Sequence, residues 1–274
     1  MTAELNTLPQ ILFGVGLAAL VALSAWKMRT LSVSGAWGAM LTGGVIFGLG
    51  GIQWAALLLT FFITSSGLSK LFKRRKREVS EKFDKGSRRD WAQVFANGGV
   101  ATFMIGFHLL YPESELPWLA FAGSLAAANA DTWATELGIF SPREPRMITT
   151  GKQVPKGTSG GVSLVGTLAT TAGAALVGLI GWLFTPEISG WAMIGTVTLA
   201  GLLGSLVDSL LGATVQAIYY DPHREKETER VIFDEHGSPA APVRGWEWIN
   251  NDMVNFSATL CGGLIAAGLW NIFQ

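Results

Sequence analysis

All 20 Lys and Arg residues of this 274-residue chain lie in every second connection between long apolar stretches. The stretches cover approximately 8–26, 32–50, 52–69, 91–111, 117–138, 161–184, 190–216 and 252–272. Each has roughly the 18 or more residues that a helix needs to cross a hydrocarbon core. One set of connections holds Lys27 and Arg29, then "KLFKRRKREVSEKFDKGSRRD", "SPREPRMITTGKQVPKG" and "DPHREKETERVIFDEHGSPAAPVRGWEW". The other set holds the two termini, a tight glycine turn, "YPESELP" and "TPEISG". Excess Lys and Arg marks the cytoplasmic side of a membrane protein. The expectation is a multi-pass cell-membrane protein with both termini on the opposite side, and an odd number of spans would break the segregation.

The expected fold class is all-α, a polytopic transmembrane bundle of about eight helices forming one domain over 1–274. Its cytoplasmic loops lie near 70–90, 139–160 and 217–251. The first loop is strongly basic and suits anionic lipid headgroups; the third is acidic and reads most simply as a solvated surface loop, with a partly ordered one as the alternative. Charged residues make up only 15% of the chain against 49% hydrophobic, which fits a lipid partner and no nucleic acid. The 34 glycines suit closely packed membrane helices. Cys261 is the one cysteine, so no intrachain disulfide is available. No A-x-A-like site follows the first run, which is expected to be a retained helix. "VSGAWGAMLTGGVIFGL" echoes "VSLVGTLATTAGAALVG", and "NGGVAT" echoes "NFSAT", a weak internal repeat of a three-helix unit.

The polar residues of the spans gather at one depth. Gln93 and Asn97 open the fourth span, while Asn129, Asp131, Thr132, Thr135 and Glu136 close the fifth. Gly201, Ser205, Asp208 and Gly212 share a face of the seventh; Asn251, Asp252 and Asn255 open the eighth. Ionisable groups inside a membrane are functional candidates by default, although Asp252 and Glu136 also suit an interfacial position, and Asn97 and Asn255 suit interhelical packing. Asp131 stands at a helix C-terminus, where the dipole disfavours a negative charge. Carboxylates gathered there imply protonation or a cation. Hard oxygen donors without His or Cys suit Mg²⁺, with Asp131, Glu136 and Asp208 as candidate metal ligands. His108, His223 and His236 have no ligand spacing, so a zinc site is not expected.

Gly157, Thr158, Ser159, Gly160 and Gly161 precede the sixth span on the same side. A glycine turn leading into a helix N-terminus offers backbone N–H groups and a positive dipole end to an anion. It equally suits a flexible turn with a hydroxyl cap. The G-x-x-x-x-G-K-[ST] pattern of a Walker A loop is absent. Together with the carboxylates, the turn points to a metal–nucleotide or metal–diphosphate complex.

"RRDWAQVFANGGVA", "ANADTWATELG", "PKGTSGGVSLVGTLA" and "GLLGSLVDSLLGATVQ" resemble, in order and over nearly the whole chain, the membrane family called domain of unknown function ninety-two. Its characterised plant members are plastid phytyl-phosphate kinases of tocopherol and phylloquinone synthesis. The resemblance implies a prenyl-phosphate kinase that uses a nucleoside triphosphate, with CTP as donor and phytyl or a related isoprenyl monophosphate as acceptor. Asp131, Ala134 and Gly138, followed by Gly157, Thr158 and Gly160, are also similar to an arrangement in CTP-dependent dolichol and phytol kinases. On this reading Asp131 and Asp208 hold Mg²⁺ with Glu136 assisting, and the 157–161 turn binds phosphate. Asn97, Asn129 and Asn255 belong to the nucleotide site, while Lys152, Lys156, Arg88 and Arg89 neutralise charge during transfer. The acceptor phosphate is itself the nucleophile, so no histidine base is required. The alternatives are a prenol kinase or cytidylyltransferase, a transporter, and a structural membrane protein. A transporter is disfavoured because the far half of the spans carries almost no polar residues. The natural prenyl chain and the oligomeric state are left open.

Overall fold

The computed structural model describes residues 7–72, 88–185, 190–223, 225–233 and 237–273. Most of the first basic loop, 73–87, lies outside them. Among the described residues eight helices form the bundle: α1 (Leu8–Lys27), α2 (Val33–Val45), α3 (Ile52–Leu71), α4 (Trp91–Leu110), α5 (Leu116–Gly138), α6 (Leu164–Phe184), α7 (Gly190–Thr214) and α8 (Asn251–Phe273). A π-helical turn, Ile46–Gly50, extends α2. Gly51 then reverses the chain with φ +83°, a conformation that needs no Cβ, and α3 begins at once.

Seven of the helices, counting Val33–Gly50 as one, are long and apolar enough to cross a membrane; α5 is the exception. Its sequence turns polar after Ala128, yet it is the most enclosed helix, buried without a break from Pro117 to Ala130. It packs against α3, α4, α6, α7 and α8. Protein surrounds α5 on all sides, so it needs no lipid-compatible face and can carry polar groups that find partners.

Small residues let α5 approach its neighbours. A Cβ on Gly204 of α7 would stand 2.6 Å from the Ala127 Cβ and 3.0 Å from the Ala258 carbonyl. Gly201 is likewise pressed against Ala126, and Gly262 of α8 against Ala127 and Gly123. Van der Waals contact between backbones replaces the hydrophobic drive that lipid cannot supply between helices. Towards the end where α5 begins, Trp54, Trp118 and Phe121 form an edge-to-face cluster with centroid separations of 4.7 and 5.0 Å from Trp54.

The opposite end of the bundle carries the basic connections. Asp90 and Gln93 form a reciprocal capping box on α4, which accounts for Gln93 without a ligand. Ser32 and Ser163 cap α2 and α6 in the same way, each accepting from the N–H of a glycine three residues on. Of the two echoing helices, each packs on the one before it, α2 on α1 and α6 on α5, but α2 also lies on α4 whereas α6 lies on α7.

The second and third connections are folded. Arg146–Met147 (β1) pairs with Gly161–Val162 (β2), and Tyr219–Asp221 (β3) pairs with Lys226–Thr228 (β4). The described part of the third loop is mostly exposed and partly ordered. Ile218 N–H donates to the Arg244 carbonyl at 2.9 Å, and Val243 N–H donates back to Ile218 at 2.8 Å. Ala217 N–H donates to Ile249 at 2.8 Å, so the segment is stitched to the ends of α7 and α8.

Candidate functional site

A cavity of about 150 Å³ opens at the basic end between α5, α6 and α7. Asp131, Thr135 and Gly138 line it from α5, one helical face at i, i+4 and i+7. Ser205, Asp208 and Ser209 line it from α7, and all of Gly157–Gly161 forms another wall. The turn is held in shape by Thr158 N–H on the Pro155 carbonyl and by Gly161 N–H on the Thr158 carbonyl. Gly157 and Gly160 adopt φ +76° and +84°, and a Cβ at Gly160 would collide with the Ala213 backbone. Ser163 and Gly166 of the α6 N-terminus also face the cavity, bringing its positive dipole end to bear.

Asp131 and Asp208 thus face one space, and Asp208 interacts electrostatically with both Asp131 and Glu229. The Asp208 Oδ2 is buried with no hydrogen-bond partner among the described residues. Lys156 lines the same cavity, and its Nζ donates to the Ile139 and Ser141 carbonyls at 3.1 and 2.7 Å. A cation on these carbonyls offsets the negative end of α5.

Several other expected residues stand elsewhere. Glu136 does not line this cavity; it is 4% exposed and accepts a 2.6 Å hydrogen bond from Ser69 of α3. Five residues along a helix turn the side chain by about 140°, so Glu136 and Asp131 leave α5 on different faces. Asn129 is fully buried in packing: its Oδ1 accepts from Thr64 and Ser65, and its Nδ2 donates to the Gly173 carbonyl at 2.8 Å. Asn97 donates to the Gln93 carbonyl and lines a separate apolar cavity. Asn255 is half-buried outside the cavity, whereas Asn251 lines it. Lys152 and Arg88 are exposed and do not line it. Arg89 lies beyond Glu136, with its guanidinium 3.4 Å from Ser66 Oγ and 5.4 Å from the Phe61 ring centre. Burial lowers its pKa to about 10, opposed by the Glu136 charge, which leaves it protonated near neutral pH.

A model of the integral membrane protein DUF92 family matches residues 16–263. The chain belongs to the DUF92 family. It is 35% identical to Protein PGR of Arabidopsis thaliana, covering 93% of this chain and 95% of that one. It is 31% identical to an uncharacterized membrane protein, MJ0933, of Methanocaldococcus jannaschii, over 95% and 94% of the two chains. Protein VTE6, chloroplastic, of Arabidopsis thaliana is 26% identical over 86% of this chain and 64% of its own length. No solved structure matches. This DUF92 chain is therefore an integral, multi-pass membrane protein.

Three groups at or beside the candidate cavity were not singled out from sequence. Glu229 and Arg244 come from the folded third connection, and Gln216 from the end of α7. Arg244 lines a small cleft on the other side of Gly157–Ser159, with Glu227 and Glu229. Its Nη1 donates to the Ala213 carbonyl at 2.8 Å, while Nε and Nη2 are buried without a partner among the described residues. Gln216 receives Ser159 Oγ at 2.7 Å. The signal in the sequence is the pair of charges in "TER" and "VRG", but only the pairing of Ile218 with Arg244 brings them to the turn.

The donor set fits a hard divalent cation. Three carboxylates, of Asp131, Asp208 and Glu229, and several hydroxyls line one space, and one Asp208 oxygen has no hydrogen-bond partner among the described residues. No group of three His, Cys, Asp or Glu side chains among the described residues could hold a metal ion by itself. Mg²⁺ needs no such group, since it commonly uses one or two carboxylates and completes its shell with phosphate and water.

Proposed function

We propose that this protein transfers the γ-phosphoryl group of CTP to an isoprenyl monophosphate, at the cytoplasmic surface of the membrane. The observation that carries the reading is the buried Asp208 Oδ2, without a hydrogen-bond partner among the described residues, in a cavity walled by Asp131 and by the whole Gly157–Gly161 turn. The donor and the prenyl acceptor come from the family resemblance of the sequence motifs.

Asp131 and Asp208 would hold Mg²⁺, which when bound neutralises phosphate charge. The remaining work falls to the chain. The glycine turn, having no side chains at 157, 160 and 161, lets phosphate oxygens approach its backbone, and the α6 N-terminus adds favourable field. Arg244 stands behind that turn, in the adjoining cleft, and its Nε and Nη2 have no hydrogen-bond partner among the described residues. An oxygen of the acceptor phosphate forms the new bond to the γ-phosphorus as the bond to the CDP oxygen breaks. The products are CDP and an isoprenyl diphosphate. Positioning and charge stabilisation suffice, with no protein base.

The test uses the full chain in nanodiscs with labelled CTP, Mg²⁺ and geranylgeranyl or phytyl phosphate. CDP and prenyl diphosphate are expected, with turnover in Asp208→Asn and Asp131→Asn falling by about 100-fold or more, as when a preorganised charge partner is lost. Near-normal turnover in either variant overturns the assignment. Release of pyrophosphate in place of CDP identifies cytidylyl transfer.

A further inference from the structure

The end of α7 is gripped by two segments. One is the glycine turn: a Cβ on Gly160 would stand 2.5 Å from the Ala213 Cβ, and Ser159 Oγ donates to Gln216 Oε1 at 2.7 Å. The other is Arg244–Gly245–Trp246 of the third connection. Arg244 Nη1 donates to the Ala213 carbonyl at 2.8 Å, and Trp246 N–H donates to the Val215 carbonyl at 3.0 Å. Gly245, at φ +79°, lies so close that a Cβ would collide with the Gln216 carbonyl. Ala213 and Gln216 are thus shared by the two segments.

Arg244 also faces the turn directly, across a cleft of about 20 Å³ that Gly157, Thr158 and Ser159 line with it. That is little more room than one water molecule requires. The Arg244 backbone is pinned on Ile218, whose N–H it accepts at 2.9 Å, so the side chain starts from a fixed point. Its Nε and Nη2 are buried without a hydrogen-bond partner among the described residues, an unfavourable arrangement that an apolar side chain would avoid. What an apolar side chain cannot do is hold the Ala213 carbonyl. That carbonyl is one of the last four of α7, which have no donor within the helix, and a cation there also suits the dipole.

We infer that Arg244 is the positioning residue of the transfer site: by holding Ala213 and backing the Gly157–Ser159 turn, it fixes the turn relative to Asp208 on the same helix. Arg244 does not line the two-aspartate cavity, so it acts through the turn and not on phosphate. The inference rests on the transfer reading for its chemistry. It adds that the third connection sets the geometry of the site from behind.

The experiment compares Arg244→Met, Arg244→Lys and Arg143→Met in the full chain in nanodiscs, with two readouts. Hydrogen exchange of the ligand-free protein follows the amides of 157–161, and steady-state kinetics gives separate KM values for CTP and for geranylgeranyl phosphate. Arg244→Met keeps the side-chain stem and removes the guanidinium. The turn is then expected to exchange about tenfold faster, and the KM for CTP to rise about tenfold or more at an unchanged acceptor KM. Arg244→Lys, which keeps a donor for Ala213, is expected to recover most of both. Arg143→Met removes an exposed cation of the second connection and is expected to alter neither. Simple loss of folded protein lowers kcat and leaves both KM values alone, so it does not mimic this pattern. Unchanged exchange of the turn in Arg244→Met overturns the inference, as does a CTP KM at the parent value in an active enzyme. A parent protein that turns over no CTP sinks the transfer reading instead, and the exchange of the turn still decides whether Arg244 holds it.

Discussion

Ser159 Oγ donates a 2.7 Å hydrogen bond to Gln216 Oε1, tying the glycine turn to the last residues after α7. Gln216 is only 1% exposed, so the tie is an interior one. Gly212 makes room for it: a Cβ there would stand 2.5 Å from Ser159 Oγ and 3.2 Å from Gly160 N. The turn is thus seated on the end of the helix that carries Asp208, and the spacing between glycine turn and carboxylate is set by α7 itself.

Gly160→Ala is expected to unseat the turn. Its φ of +84° costs a side-chain residue about 1–2 kcal/mol, and the new Cβ would meet three Ala213 atoms at 2.5–2.7 Å. Gly151→Ala is the control: φ is +68°, but nothing lies within 4 Å of the added carbon. Thermal unfolding in detergent should show a clear loss for Gly160→Ala and a smaller one for Gly151→Ala. Equal losses would mean that contact with Ala213 contributes nothing.

Gly204→Val tests the small-residue seam around α5. Two added methyl groups join a Cβ already 2.6 Å from Ala127, 3.0 Å from the Ala258 carbonyl and 3.3 Å from Gly262. Three helices must shift together, and overpacking of this kind costs about 1–3 kcal/mol or more. Gly195 of the same helix has open space around it, so Gly195→Ala should leave the melting temperature nearly unchanged. A Gly204→Val protein as stable as the parent would remove the close approach of α5, α7 and α8 from the explanation of the fold.

The spans were legible because lipid imposes a simple rule on length and charge. The expected runs 8–26, 91–111 and 117–138 are α1 at Leu8–Lys27, α4 at Trp91–Leu110 and α5 at Leu116–Gly138. Even the polar end of α5 could be read as helix, from its continuity with an apolar run. The seating of its side chains was less legible. Helical period alone separates Asp131 from Glu136, but which face meets α7 and which meets α3 is decided by packing. Asn129 shows the same limit: Thr64, Ser65 and Gly173, its partners, lie 44 to 65 residues away in sequence. The third connection was opaque because its order comes from pairings such as Ile218 with Arg244, which no local pattern announces.

Asn129→Ala is expected to act on stability rather than on a nucleotide. The substitution leaves the Gly173 carbonyl without its 2.8 Å donor and removes the shared acceptor of Thr64 and Ser65, all near the middle of the bundle. An unmade buried hydrogen bond costs about 1–3 kcal/mol, although the Thr64 hydroxyl retains the Thr60 carbonyl. The melting temperature should fall, while the protein that remains folded should bind Mg²⁺ and CTP with unchanged affinity. A selective loss of nucleotide affinity at unchanged stability would return Asn129 to the binding site.

Asp208→Asn should separate stability from ligand response. In the unliganded chain the Asp208 Oδ2 is buried without a hydrogen bond among the described residues, beside the charges of Asp131 and Glu229. A carboxylate in that setting works against folding until a cation joins it. The neutral isostere removes the repulsion and keeps the shape, so the ligand-free melting temperature should rise by about 2–4 °C, the shift that 1 kcal/mol produces in a chain of this size. The stabilisation that Mg²⁺ and CTP confer on the parent should disappear in the same variant. A ligand-free protein that becomes less stable would mean that the ionised carboxylate already has compensation within the fold. The open coordination position on which the transfer site is built would then not exist.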